Sequence, residues 1–510
     1  STSTFLVSGI TSSTAFTSGS IQFYGNVTWN CPSQSSAFSF GGLTTVNGNL
    51  TIQSTGASPN STSCLLLTNS STLASNIAGN LSITGGYFAP FGSSTSGNCS
   101  LAIGGDLSLA SGTFDIFRQA SNTSTINLSG NFSMTSGTLT KYGNGIGNFN
   151  FAKSGTQTYT KSGGTISNAF NFTVNNGSTL DLGTNLIEGS SGTFTLSSGG
   201  GLITANTAGI TSTGATGSIQ VVGTRTYNTG ANYTFNGSSA QVTGNGLTGA
   251  ANLTINNSSG VTLTSNTSLS GTLTLTNGIL TVGSTNTITV SSGGSITATS
   301  GSLASGTGAG TFTFSGTGTI SGTIGFNHVN IAGGVNFGTA STINGTLSIN
   351  AGGFVSTNAP IYASGSTLKY NSGGTYGRGT EWSAASAAGY PHHVQISTGT
   401  ILDLGANSGT ATARQIAGNM TVDNGTTLSY NTNKFQVTAS NGDTTIAGNV
   451  TLSFSGGTDN GTKTSAIVFK NSTNVLGYVS TTEGTDVLDG ILGYKNSDGT
   501  LKFSTVIDGG

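Results

Sequence analysis

Between Asn252 and Ala298 an aliphatic side chain falls at every second position of one short segment after another: Leu253 and Ile255, Val261 and Leu263, Leu273 and Leu275, Ile288 and Val290. Thr, Ser or Asn fills most positions between them. A two-residue period puts the aliphatic groups on one face of a strand and the hydroxyls on the other. Gly, Asn or Ser closes each segment, and these residues accept turn geometry. No window has the i, i+3, i+4 spacing of a helix. A strand of about five residues, a turn and another such strand make one rung of a solenoid, and stacked rungs share a continuous core. The chain is therefore expected to be all-β: a single long right-handed parallel β-helix (β-solenoid) with irregular rung lengths and atypical terminal caps.

Charge narrows the reading further. Globular domains average about 25% charged residues, whereas 5% of these 510 residues are Asp, Glu, Lys or Arg. A disordered tail needs charge or proline to stay expanded, and this chain has 5 prolines. Its net charge of -1 gives no electrostatic reason to bind nucleic acid or an anionic membrane. No run of 18 apolar residues is present, so no membrane-spanning helix is expected. At roughly 20–25 residues per rung and about 4.8 Å between strands, the expected rod is on the order of 100 Å long.

Taken in order, residues 1–47 alternate less regularly and carry Trp29, Phe38 and Phe40, so they read as an N-terminal cap or assembly segment. From 48 to 465 the rungs are legible, beginning Asn49-Leu-Thr-Ile, Asn80-Leu-Ser-Ile, Asp106-Leu-Ser-Leu and Asn131-Phe-Ser-Met. A longer period overlies them: Phe172-Thr-Val-Asn-Asn-Gly is echoed from Leu253, Val329 and Val394, which suggests duplicated multi-rung blocks. From 466 to 510 the Thr-alternating texture is lost and acids accumulate, so this stretch reads as a C-terminal cap or subunit-docking segment. The opening Ser1-Thr2-Ser3-Thr4 reads as a mature end left by signal-peptide removal, with an extracellular or cell-surface location.

One stretch interrupts the pattern. Residues 370–393 hold Tyr370, Tyr376, Arg378, Glu381, Trp382, Tyr390, His392 and His393, and read as an inserted loop that contacts a glycan or another subunit. An acid–base site on Glu381 with Arg378, His392 or His393 is the enzymatic alternative, but a hydrolase of this type needs a second carboxylate. The expectation is no catalytic residue. His392 and His393 should point to opposite sides of a strand, so no metal and no cofactor are expected. Between Gly189 and Leu368 the one charged residue is Arg225.

Cys31, Cys64 and Cys99 are an odd set. A Cys64–Cys99 bridge would clip neighbouring rungs; three buried small thiols are the other reading. Asn-x-Ser/Thr sequons occur 23 times, and Asn26, Asn49, Asn60, Asn69, Asn80, Asn98, Asn122, Asn127 and Asn131 are candidate glycosylation sites. Thr-x-Thr ladders such as Thr272-Leu-Thr-Leu-Thr suit a solvated strand face better than an ice-binding plane, because rung lengths vary.

At Val222-Gly-Thr-Arg-Thr-Tyr-Asn-Thr-Gly-Ala-Asn-Tyr-Thr-Phe-Asn-Gly and again over 252–298, the text resembles repeat regions of large secreted surface and adhesin β-solenoid proteins of the Bacteroidota type. The resemblance covers residues 165–355 well and the remainder in texture. Such proteins leave through a type IX secretion system by means of a C-terminal sorting domain. That domain is not recognisable in this sequence, and the resemblance implies its cleavage after export. The family implies no shared active site. The expected function is an extracellular structural subunit of a self-assembling filament, sheath or adhesive fibre, its partner being itself, head to tail. The alternative is a monomeric adhesin that binds glycans or neighbouring cells, and a polysaccharide-degrading enzyme comes third.

Overall fold

In a computed structural model the strands stack in parallel, rung upon rung, for about 17 turns. The structure describes residues 3–12, 22–23, 25–42, 45–68, 74–92, 98–116, 118, 123–189, 191–304, 310–405, 414–423 and 425–429, and six strands beyond them. Two compact units result, Ser1–Gly448 and Asn449–Gly510.

The first unit is the solenoid. Its long sheet has 16 strands, from Thr4–Ser8 to Phe354–Val355. A second face of nine strands runs from Gln22–Phe23 to Arg225–Tyr227, and an 11-stranded sheet runs from Gly249–Ala250 to Thr444–Ile446. The alternation seen in the sequence sets the register. Tyr233, Leu253, Leu273, Ile296 and Ile320 align across successive strands of the long sheet, and none is more than 2% exposed. Such columns merge into one apolar core from Val7 to Val422. Aromatic residues stack where the rung is wide: Phe132 lies on Tyr159 at 4.8 Å and 10°. No helix among the described residues is long and apolar enough to cross a membrane.

Polar groups form ladders of their own. Asn49, Asn80, Asp106 and Asn131 each donate a backbone N–H to the side-chain oxygen of the ladder residue one rung earlier, at 2.7–2.9 Å. The series begins at Asn26 and ends at the N–H of Thr158. A glycine precedes each ladder residue from Asn26 to Asn131. The reason is close approach: a side chain on Gly48 would stand 2.5 Å from Asn26 Oδ1 and 2.7 Å from Gly25 C.

Three boundary expectations change. The first 47 residues do not form a separate cap, because Thr4–Ser8 and Asn26–Asn30 are the first two strands of the long sheet. Val27 and Trp29 point inward like any rung pair, with an aromatic in place of an aliphatic. The solenoid unit closes at Gly448 instead of 465. The second unit holds antiparallel hairpins, Thr464–Lys470 with Val475–Thr482 and Ile491–Lys495 with Leu501–Thr505. The repeated text near 172, 253, 329 and 394 does not mark one place throughout: Val329 and Val394 share a column through Leu347 and Leu368, but the other two do not join it. Phe172 lies on the second face, Leu253 on the long sheet, and Val329 and Val394 on the 11-stranded sheet.

The cysteines also differ from the bridged reading. Cys31, Cys64 and Cys99 are buried thiols outside any disulfide. Cys99 faces the main core, whereas Cys64 sits in a small separate cluster with Leu66, Tyr87 and Ala89. The two thiols therefore look into different spaces.

Candidate functional site

The segment from Tyr370 to His393 turns inward. Tyr370 belongs to the rung strand Thr367–Asn371, where Leu368 and Tyr370 alternate into the core and are both fully buried. Tyr376 lies in the next strand, Thr375–Gly377, and its ring lies 5.4 Å from that of Tyr370. The chain then makes one turn of 3-10 helix, Thr380–Trp382, which buries Glu381 and Trp382 completely. The expected glycan or subunit contact through Tyr370, Arg378, Glu381 and Trp382 is therefore corrected. These side chains form the interior of a fold-back over the solenoid and are not offered to a partner.

Glu381 is the hub. Its Oε1 accepts from Gly379 N at 2.7 Å and from Tyr370 Oη at 3.1 Å, while Tyr362 Oη donates to its carbonyl at 3.0 Å. Burial raises its carboxyl above the usual range, and these bonds and Arg378 offset part of that rise. The Arg378 guanidinium does not pair with it. It donates instead to the carbonyls of Gly379, at 3.1 Å, and Trp382, at 2.5 Å. Trp382 Nε1 reaches Gln415 O at 2.9 Å and Thr380 Oγ1 reaches Val355 O at 2.8 Å, which fastens the fold-back to rungs on both sides.

The two histidines come together despite being sequence neighbours. Their rings meet edge to face at 4.4 Å, because the strand begins only at His393 and leaves His392 free to bend back. His393 Nδ1 accepts from Asn419 N at 2.9 Å, which is the role an asparagine plays elsewhere in the ladders. No group of three or more His, Cys, Asp or Glu suited to a metal occurs among the described residues. Tyr390 is half-buried. Arg225 serves the fold: its guanidinium binds Val221 O, Thr211 O, Thr211 Oγ1 and Gly214 O and holds that loop in place.

Of the candidate sequons, Asn69 and Asn122 lie outside the described residues. Asn26, Asn49, Asn80 and Asn131 give Oδ1 to the ladders described above. Asn98 Oδ1 takes the N–H of Thr123 at 3.3 Å, and Asn127 Oδ1 takes Asn150 Nδ2 at 2.9 Å. Asn60 closes a turn, with Thr62 N 2.7 Å from its Oδ1.

A concave site lies elsewhere, on the outward side of the 11-stranded sheet. A groove of about 320 Å³ is lined by residues that include His328, Asn330, Thr346, Ser348, Lys369 and Gln395. They form two columns, since His328 aligns with Thr346 and Asn330 with Ser348, Lys369 and Gln395 in turn. A β-bulge between Phe326 and His328 shifts the register at one end, and bulges bend strands and re-aim side chains. Sequence reasoning missed this groove because its residues are scattered over 85 positions. No protein-family model, curated protein or solved structure matches the chain.

Proposed function

We propose that the chain is a structural subunit of an extracellular filament, sheath or adhesive fibre that adds copies of itself end to end. The observation that carries this reading is the strand Thr4–Ser8. It pairs with Asn26–Asn30 along one edge, and among the described residues no strand covers the other. Its Phe5 and Leu6 are 47% and 59% exposed. An open parallel edge offers unpaired N–H and C=O groups, and a head-to-tail contact that does not close extends into a fibre. The solenoid behind it gains stability rung by rung, so one more copy continues the same stacking. A nearly uncharged surface of hydroxyls and amides lets copies approach without repulsion.

Negative-stain electron microscopy and sedimentation of the full chain test the reading. Fibres are expected from the wild type, and shorter or no fibres from Leu6→Lys or from a chain lacking the second unit, Asn449–Gly510. Isolated rods at every concentration, or fibres indifferent to both changes, would dismiss it.

A further inference from the structure

We propose that the groove on the 11-stranded sheet binds an acidic glycan, a hydroxyl-rich chain bearing carboxylates, with Lys369 as the anchor for one carboxylate. This proposal stands apart from assembly, since rods and fibres present the same outward face.

The groove has the shape and length for a chain ligand. The strands from Thr311–Phe314 to His393–Ile396 are successive neighbours in the sheet. At about 4.8 Å per step, five strands give a trough roughly 19 Å long, the reach of several sugar rings in a row.

The lining is imidazole, amide, hydroxyl and ammonium, which disfavours a lipid or other apolar ligand, whose pockets are mostly apolar. These donors and acceptors are not spent on one another. On the second face, outward polar residues bond along their column: Asn171 Nδ2 to Asn148 Oδ1 at 3.2 Å and Thr193 Oγ1 to Asn171 Oδ1 at 2.9 Å. In the groove, by contrast, Gln395 bonds outward to Asp423, at 2.9 and 3.2 Å to its two oxygens. Among the described residues, the side chains of His328, Asn330, Thr346, Ser348 and Lys369, which line the groove, have no such partner.

Lys369 is one of 13 cations in 510 residues and has no ion-pair partner among the described residues. Asp423 accepts from Gln395 at the far end of the column and forms no ion pair with Lys369. An ammonium without an ion pair on a concave floor of hydroxyls and amides favours an anion carried on a polar chain.

Equilibrium dialysis of the full chain against fluorescently labelled pentagalacturonate and, separately, cellopentaose tests the proposal at low and high salt. Pentagalacturonate is expected to bind, more weakly in high salt, and cellopentaose much less. Lys369→Gln, an outward change that leaves the core untouched, should weaken pentagalacturonate binding about tenfold, the scale of one lost hydrogen bond to a charged group. Lys161→Gln, which removes a cation paired with Glu188 at 3.2 Å, should change nothing. No pentagalacturonate binding, equal binding of both sugars, or equal loss in the two variants would overturn the assignment.

Discussion

The ladders make a quantitative prediction at the rung beginning Gly271-Thr272. Asn252 Oδ1 accepts the N–H of Thr272 at 2.9 Å, and Asn252 Nδ2 donates to Asn232 Oδ1 at 2.7 Å. Gly271 N in turn donates to Ala251 O at 2.8 Å. A methyl group on Gly271 would stand 2.6 Å from Asn252 Oδ1 and 2.7 Å from Ala251 O, both inside contact distance. Gly271 has no positive φ, so crowding, not backbone handedness, demands the glycine. Overpacking costs about 1–3 kcal/mol, and the loss of unfolded-chain freedom returns about 0.4–1. Gly271→Ala should therefore destabilise its rung by about 1–2 kcal/mol. Asn252→Ala loses two hydrogen bonds near solvent, again about 1–2 kcal/mol.

The two changes should not add. With Asn252 truncated, the nearer of the two clashes vanishes, and the bond that Gly271→Ala would have displaced is not lost a second time. The double variant should cost about 1 kcal/mol less than the sum. Because rungs of a solenoid open semi-independently, the assay is hydrogen exchange of peptides covering 252–282 in the full chain, read as local opening free energies. Additivity within about 0.5 kcal/mol, the behaviour of uncoupled sites, would refute the close-approach account of the glycines.

Three further outcomes follow from the same geometry. Leu273→Ala, at a fully buried position between Leu253 and Ile296 in register, should cost about 2–5 kcal/mol of local stability by exchange; a cost below 1 would mean the column is not close-packed. Glu381→Gln should gain stability relative to wild type as pH rises. The carboxyl is raised by burial, so the folded state holds its proton more tightly and loses that advantage between the unfolded value of about 4.3 and the raised one. Thermal melts that keep a constant difference from pH 4 to 8 would contradict this. Iodoacetamide should add three groups to the denatured chain, while native Cys64, pushed up to about 11 by burial, stays unmodified at pH 8; a single addition on denaturation would restore the disulfide.

Much of the fold could be read from alternation alone, because side-chain direction in a strand depends only on parity. Leu253, Ile255, Leu273 and Leu275 are all buried and Thr254 and Thr274 all face out. The sequence could not say which face of a rung a strand occupies. The Phe172 and Leu253 texts encode a strand, a tight turn and another strand, and that corner serves equally on the second face or the long sheet. The asparagines were legible as rung starts but carried two meanings. Gly-Asn-aliphatic-Ser/Thr satisfies a glycosylation sequon and equally a ladder, in which glycine makes room and the amide oxygen caps the next rung's N–H. Recurrence of the glycine in Gly48-Asn49, Gly79-Asn80, Gly105-Asp106 and Gly130-Asn131 is the signal for the ladder, and the aspartate at 106, which no sequon accepts, separates the two.

Strand parity also decides which residues near 370 can reach a ligand. Composition drew attention to Tyr370, Arg378, Glu381 and Trp382 because they are rare groups gathered in one stretch, yet density in sequence carries no information about direction. Leu368, Lys369 and Tyr370 are consecutive in a strand, so an inward Leu368 requires an inward Tyr370 and an outward Lys369. Applied at that point, alternation assigns the tyrosine to the core and the lysine to the surface. Joining Lys369 to His328 is harder. His328, Thr346, Thr367 and His393 align in one column, but at intervals that vary from rung to rung, so no fixed repeat length predicts who faces whom. Parity settles which side a residue takes; the loops settle its neighbours. A groove assembled across five rungs of unequal length is therefore invisible to periodicity even where each of its residues is individually legible as outward.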